Sequence, residues 1–212
     1  MHGLFSDLRV LDLSSVLAGP AVATFFAELG AQVTKIEHPV SGDVTRSWKN
    51  NEEPADAPIS AYYASVNYGK HVMRLNLGEI SSRPTLESMI AHSDIIVTNF
   101  KSGDAEKFNL TSEVLFQINP QIIHAKISGF EHQHDRVAYD LVLQAETGMM
   151  SMNGTPESGP IKMPIAFIDL FASHQLKEGT LCALLERHKT GRGGIVSCSL
   201  EAAAIGSLAN QA

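Results

Sequence analysis

Among the groups in this chain able to do chemistry, Asp169 stands out. It lies in PIAFIDLFASHQL, with apolar residues on both sides. Such surroundings disfavour the charge of a carboxylate and raise its pKa unless donors are aimed at it. The same residue suits a plainer task, because aspartate is among the best helix N-caps and a long helical pattern follows directly. The two roles are compatible, since a capping aspartate still presents one oxygen to a substrate. A second candidate is the segment LDLSSVLAGPA, where a strand-like run gives way to small residues and then to a helix. Backbone N–H groups at such a turn, with the positive end of the helix dipole, suit a phosphate or a thioester oxygen. The segment is not G-x-G-x-x-G, so the dinucleotide fingerprint is absent. Spacing alone favours an ordinary turn with Pro20 in the first helical turn.

Weaker candidates follow. His132, His134 and Asp135 in GFEHQHDR form an H-x-H-D string of a metal-binding type, but no further ligand accompanies it and a solvated loop is the favoured reading. His174 follows Asp169 by five residues, which places it on a different helix face. Arg46 and the lone Trp48 lie in a polar stretch, where Arg46 either meets a phosphate or faces water. Cys182 and Cys198 sit in apolar segments and read as buried small hydrophobes rather than a disulfide or metal pair.

The elements that must position these residues alternate between strand and helix. Residues 8–14 and 32–38 read as strands on either side of a helix ending at Gly30, a βαβ start that implies a parallel sheet with a right-handed crossover. Residues 39–60 are polar and rich in turn formers, and long loops of this kind are often functional. Further strands are expected at 71–77, 93–100 and 121–130. A helix capped by Ser82 runs through about His92, and a short one capped by Thr111 ends near Ile118. From residue 139 come an apolar helical stretch, a turn-rich link, one long helix over DLFASHQLKEGTLCALLERHKT with a basic, glycine-terminated end, a strand in GIVSCSL, and a helix begun by EAAAIGSLANQA that runs to the end of the chain. The style is Rossmann-like α/β.

Composition agrees with this and excludes other classes. The 212 residues are 44% hydrophobic and 18% charged, which fits a globular chain rather than a disordered or fibrous one. The net charge is −7 without a basic run, so nucleic acid is not expected as the main partner. The N-terminal segment does not resemble a signal peptide, and no apolar run approaches the ~18 residues of a membrane span. A soluble, cytoplasmic protein is the expectation.

Several long blocks resemble the class III CoA-transferase family, which includes formyl-CoA transferases, carnitine CoA-transferases and α-methylacyl-CoA racemases. They are VLDLSSVLAGPAVATFFAELGAQVTKIEHPVSGDVTRSW, DIIVTNF, ISGF, AYDLVLQAETGMMSMNGTPESGP, IAFIDLFA and ALLERHKTGRGGIVSCSLEAAA, in the family's order. The resemblance implies a Rossmann-like domain over residues 1–212, transfer of CoA between carboxylic acids, coenzyme A as substrate, and no metal. It makes Asp169 the nucleophile, attacking an acyl-CoA thioester to form an enzyme acyl anhydride, a case of covalent catalysis by a carboxylate. It lines the CoA site with Val16, Leu17, His38, Leu75, Asn76, Asn99, Phe100 and Lys107.

Three departures from the family pattern bear on specificity and completeness. His38 replaces a frequent Arg and is a weaker phosphate partner at neutral pH. Leu17 replaces the Gln of formyl-CoA transferases, which argues against formyl or oxalyl substrates. Tyr139 stands where the racemases carry the His of their acid–base pair; a phenol is a poor proton donor or acceptor at neutral pH, which favours transferase over racemase. Two alternatives remain: an isomerase acting at the α-carbon of an acyl-CoA, and a non-catalytic CoA-binding fragment or subunit. Members of the family are about twice as long, carry a second, smaller domain and form interlocked dimers. The resemblance therefore implies a homodimer or a partner chain supplying the C-terminal part.

Overall fold

The computed structural model describes residues 3–132 and 135–211. Six parallel strands form one sheet: β1 (Arg9–Asp12), β2 (Gln32–Glu37), β3 (His71–Arg74), β4 (Ile95–Thr98), β5 (Ile123–Ser128) and β6 (Gly194–Ser199). Their order is β3-β2-β1-β4-β5-β6. The strand order reverses between β1 and β4, where Val10, Leu11 and Asp12 pair with Ile95, Ile96 and Val97. This is the Rossmann order, and ligands in such sheets bind beyond the carboxyl ends of the strands at the reversal.

Helices cover both faces. On one side lie α1 (Ala18–Glu28), α6 (Asp140–Glu146), α8 (Phe167–Thr190) and α9 (Leu200–Ser207), packed through Phe26, Ile95, Ile123, Leu143, Ile168, Leu176 and Ala203. On the other, α3 (Arg83–Ala91) and α5 (Ser112–Ile118) bury Leu86, Ile90 and Leu115 against Leu11, Ile36 and Ile96. β4 is buried along its whole length, as a central strand covered on both faces must be. β3 is an exposed edge strand. Short helices α2 (Ala61–Ser65), α4 (Asp104–Lys107) and α7 (Met149–Met152) complete the chain.

Several local expectations hold. Thr111 caps α5, accepting from the Val114 N–H. Gly191 ends α8 at φ 71, a left-handed conformation that glycine adopts without a Cβ clash. Others are corrected. Ser82 precedes α3 but its side chain makes no cap bond: its own backbone is already helical (φ −78, ψ −19) rather than extended as a capping residue's is, and Pro84 in the first turn has no N–H to offer. The last helix stops at Ser207 rather than running to the chain end, where Gly206 and Ser207 are weak helix formers and Leu208 N–H turns back to Ile205 O. Cys182 is exposed on α8, and Cys198 is half-buried with its Sγ 3.3 Å from Gln175 Oε1; burial pushes the Cys198 thiol up.

Candidate active site

The carboxyl edge of the sheet gathers the residues singled out above. Val16 and Leu17 follow β1, His38 follows β2, Leu75 and Asn76 follow β3, Asn99 and Phe100 follow β4, and Lys107 ends α4. Because α8 leads back to the amino end of β6, its own N-terminus, with Asp169, lies at the same edge.

The turn between β1 and α1 crosses the reversal point and is held from several sides. Asn99 Oδ1 accepts the Ser15 N–H at 3.0 Å while its Nδ2 donates to Ser15 O at 2.8 Å. Asp12 Oδ1 accepts the Ser14 N–H, and the buried Lys35 ammonium donates to Ser14 O at 2.8 Å. The Val16 N–H reaches Asp43 Oδ2 at 3.3 Å. Val16 has φ 71, an outlying conformation for a β-branched residue. Helix α1 then starts without a side-chain cap, so its first N–H groups remain available to an anion or oxyanion. Gly19 is needed here, since a Cβ would lie 2.3 Å from that of Ser14.

Asp169 is not the cap of α8. Asp140 takes that task from another helix: its Oδ2 accepts the N–H groups of Ile168 at 2.6 Å and Asp169 at 3.2 Å. Gln144 donates to the other Asp140 oxygen and holds the Ile165 carbonyl and the Met163 N–H, pinning the approach to α8. Asp169 is thus left in the first helical turn with its carboxylate uncommitted, among the described residues, to any donor. Burial, helped by the nearby Asp140 charge, raises its pKa from 3.8 to about 7. Tyr139 directly precedes Asp140, so this cap brings its backbone beside the start of α8; its phenol is exposed.

Residues 39–60 are tied together by internal hydrogen bonds. Lys49 Nζ donates to the carbonyls of Pro54, Ala55 and Ala57. Ser60 caps α2, where Tyr62 meets Trp48 edge-to-face at 5.5 Å. The Tyr62 phenol is pushed up to about 12 by burial, with the Asp169, Asp43 and Asp140 charges adding to it. Arg46 neither waits for a phosphate nor faces water. It forms a two-pronged pair with Glu37 at 2.7 and 2.9 Å and lies over the Tyr63 ring. Exposed His38 accepts Val40 and Ser41 N–H groups through Nδ1. The strong cation beside it is Arg74, whose Nη1 reaches His38 O at 3.1 Å.

Sequence reasoning missed Asp12, Lys35, Asp43, Tyr62, Lys70, Arg74 and Asp140. Lys35 carried a signal, since a charged residue in the interior of a parallel strand with neighbours on both sides calls for partners. Of the H-x-H-D string, His134 lies outside the described residues; His132 and Asp135 are exposed, as is His174. No set of three or more His, Cys, Asp and Glu able to hold a metal occurs among the described residues. No described helix is long and apolar enough to cross a membrane.

A six-stranded parallel sheet in Rossmann order, flanked by helices and with Asp169 at its carboxyl edge, defines an α/β protein. Comparison with known proteins fixes the group: residues 5–212 match the model of CoA-transferase family III, and the chain belongs to that family. It is 37% identical over 208 residues to succinyl-CoA:mesaconate CoA-transferase of Haloarcula marismortui, covering 93% of this chain and 52% of the relative. It is 30% identical over 206 residues to succinyl-CoA:glutarate CoA-transferase of Homo sapiens, covering 96% and 46%. A solved CAIB/BAIF family protein from Brucella suis superposes with a TM-score of 0.91 at 32% identity, covering 100% of this chain and 57% of that one. The chain thus spans about half the length of the curated relatives it matches.

Proposed function

We propose that this chain carries the acyl-accepting half of a CoA-transferase that moves coenzyme A between carboxylic acids, with Asp169 as nucleophile. The observation that carries this reading is the division of labour at the start of α8. Asp140 satisfies the helix, and Asp169 keeps a desolvated carboxyl in the first turn. One Asp169 oxygen bonds to the thioester carbonyl carbon; the C–S bond breaks and its electron pair leaves on the CoA sulfur. The product is a mixed anhydride between Asp169 and the acyl group. Thiolate attack on the aspartyl carbonyl then releases the donor acid and leaves CoA on Asp169, and an acceptor carboxylate reverses the sequence. Fixed donors stabilise each oxyanion, and loss of one such donor typically costs ~3–4 kcal/mol of barrier. The uncapped start of α1 is the natural source of them.

In this reading Val16, Leu17, Asn99 and Phe100 flank the pantetheine arm. Leu75 and Asn76 lie further along the edge, and Lys107 and Arg74 serve the phosphates where His38 is a weaker partner. The relatives named for dicarboxylate chemistry, such as the succinyl-CoA:mesaconate enzyme, favour a dicarboxylic donor or acceptor. The test is Asp169→Ala, assayed for CoA exchange and for acyl-CoA affinity. Exchange should disappear while affinity stays within about threefold of the parent, since Asp169 acts after binding. Retained exchange overturns the assignment.

A further inference from the structure

Beneath the β1–α1 turn four charges are buried together. The ammonium groups of Lys35 and Lys70 and the carboxylates of Asp12 and Asp43 all have side chains 0–1% exposed. Lys70 Nζ is 2.8 Å from Asp12 Oδ2, and Lys35 Nζ is 3.8 Å from Asp12 Oδ2 and 3.1 Å from Asp43 Oδ2. Two positive and two negative groups balance. Even balanced, buried ions are a poor source of stability, because desolvation offsets most of their attraction and apolar residues do as well. The placement of their remaining hydrogen bonds gives the cluster another use. Lys35 holds Ser14 O, Lys70 holds Pro20 O at 2.9 Å and Val66 O at 2.8 Å, and Asp43 holds the Val16 N–H. Each grips the turn or the segment packed beside it.

Val16 is the strained member of that turn. A β-branched residue at φ 71 persists only where its surroundings over-determine it. Asp43 Oδ2 is the one acceptor of its N–H among the described residues. The other Asp43 oxygen accepts the Thr45 N–H at 3.0 Å and the Thr45 hydroxyl at 2.7 Å, starting the short helical turn that leads to Arg46 and Trp48. One carboxylate therefore joins the loop that carries Trp48 to the turn that precedes α1.

We infer that Asp43 is a positioning residue for acyl transfer: by holding the Val16 N–H it keeps the turn in its left-handed form and aims the free N–H groups of α1 at the thioester oxygen. This rests on the transferase reading for its purpose, but the grip on Val16 is measurable without turnover. The test compares Asp43→Ala, Asp43→Ala with Val16→Gly, and Asp43→Ala with Lys35→Met. Amide exchange at residue 16 and the kcat and KM of CoA transfer are read for each. In Asp43→Ala, exchange at residue 16 should rise, and kcat fall, on the order of tenfold or more, the scale of a lost charge-assisted hydrogen bond, with the loss in kcat larger than any rise in KM. Glycine at position 16 adopts the left-handed form without strain, so Val16→Gly should return at least a threefold part of kcat. Lys35→Met restores the charge balance and should return stability but not kcat.

Unchanged amide exchange in Asp43→Ala overturns the proposal, and so does full recovery of kcat by Lys35→Met. Failure of the parent chain to transfer CoA, with exchange at residue 16 responding as expected, counts against the transferase reading and leaves the grip of Asp43 established. Should Asp43→Ala not fold, Val16→Gly alone decides. Residue 16 must then stay protected, because Asp43 still holds its N–H; loss of protection shows that the valine side chain, not Asp43, was the shield.

Discussion

Replacing Asp169 with Asn should stabilise the fold, and by an amount that depends on pH. The side chain keeps its size, so packing is little disturbed. What changes is the charge. In the folded chain burial holds the Asp169 carboxyl at about 7, against 3.8 ordinarily. The folded state thus keeps a proton over a range where the unfolded state has released it. Where the folded state binds more protons, stability falls as pH rises. The loss begins near the lower value and is complete above the upper one. With about 1.36 kcal/mol for each unit of pKa difference, it amounts to roughly 2–3 kcal/mol between about pH 5 and pH 8. The start of α8 favours the charged form by about 0.3–1 kcal/mol, a stabilisation that Asn forfeits. Urea unfolding of both chains across this range reads the effect. The gap in unfolding free energy should widen in favour of Asn by about 2 kcal/mol or more from pH 5 to pH 8. A gap that stays constant with pH would refute the placement of Asp169 in a desolvating site.

Two further substitutions probe the frame around that carboxyl. Asp140→Ala leaves the Ile168 and Asp169 N–H groups without their acceptor and should cost about 2–3 kcal/mol in denaturant unfolding, at the upper end for a cap because the site is buried; it should also lower the Asp169 pKa, because a neighbouring negative charge is gone, and shift the pH–rate profile toward acid. Gly19→Ala drives a methyl group to 2.3 Å from Ser14 Cβ, so an overpacking loss of about 1–3 kcal/mol is expected, together with weaker acyl-CoA binding measured by calorimetry as the turn is displaced.

The strands were legible because their apolar runs are short and bounded by turn formers, and the helix ends because Gly30 and Gly191 sit where left-handed residues are needed. Asp169 was legible from its apolar neighbours. Its exact duty was not. Local pattern points an aspartate before a long helix toward capping, and only tertiary structure brings Asp140 across from α6 to do it. Arg46 was ambiguous for the same reason, since its partners Glu37 and Tyr63 lie 9 and 17 residues away. The Asp12–Lys35–Asp43–Lys70 cluster joins residues separated by up to 58 positions, and no periodicity announces such a pairing. Cys182 misled because an apolar helical stretch also has a solvent side, and one residue type does not tell which face it takes.

In the proposed mechanism Asp169 carries the acyl group or coenzyme A during transfer. Incubation with succinyl-CoA, a quench with hydroxylamine and peptide mapping by mass spectrometry test it directly. An aspartyl hydroxamate should form on the peptide containing Asp169, dependent on the acyl-CoA and absent from Asp169→Ala. Transfer of CoA with no modification at Asp169, or with the hydroxamate on another residue, would contradict it.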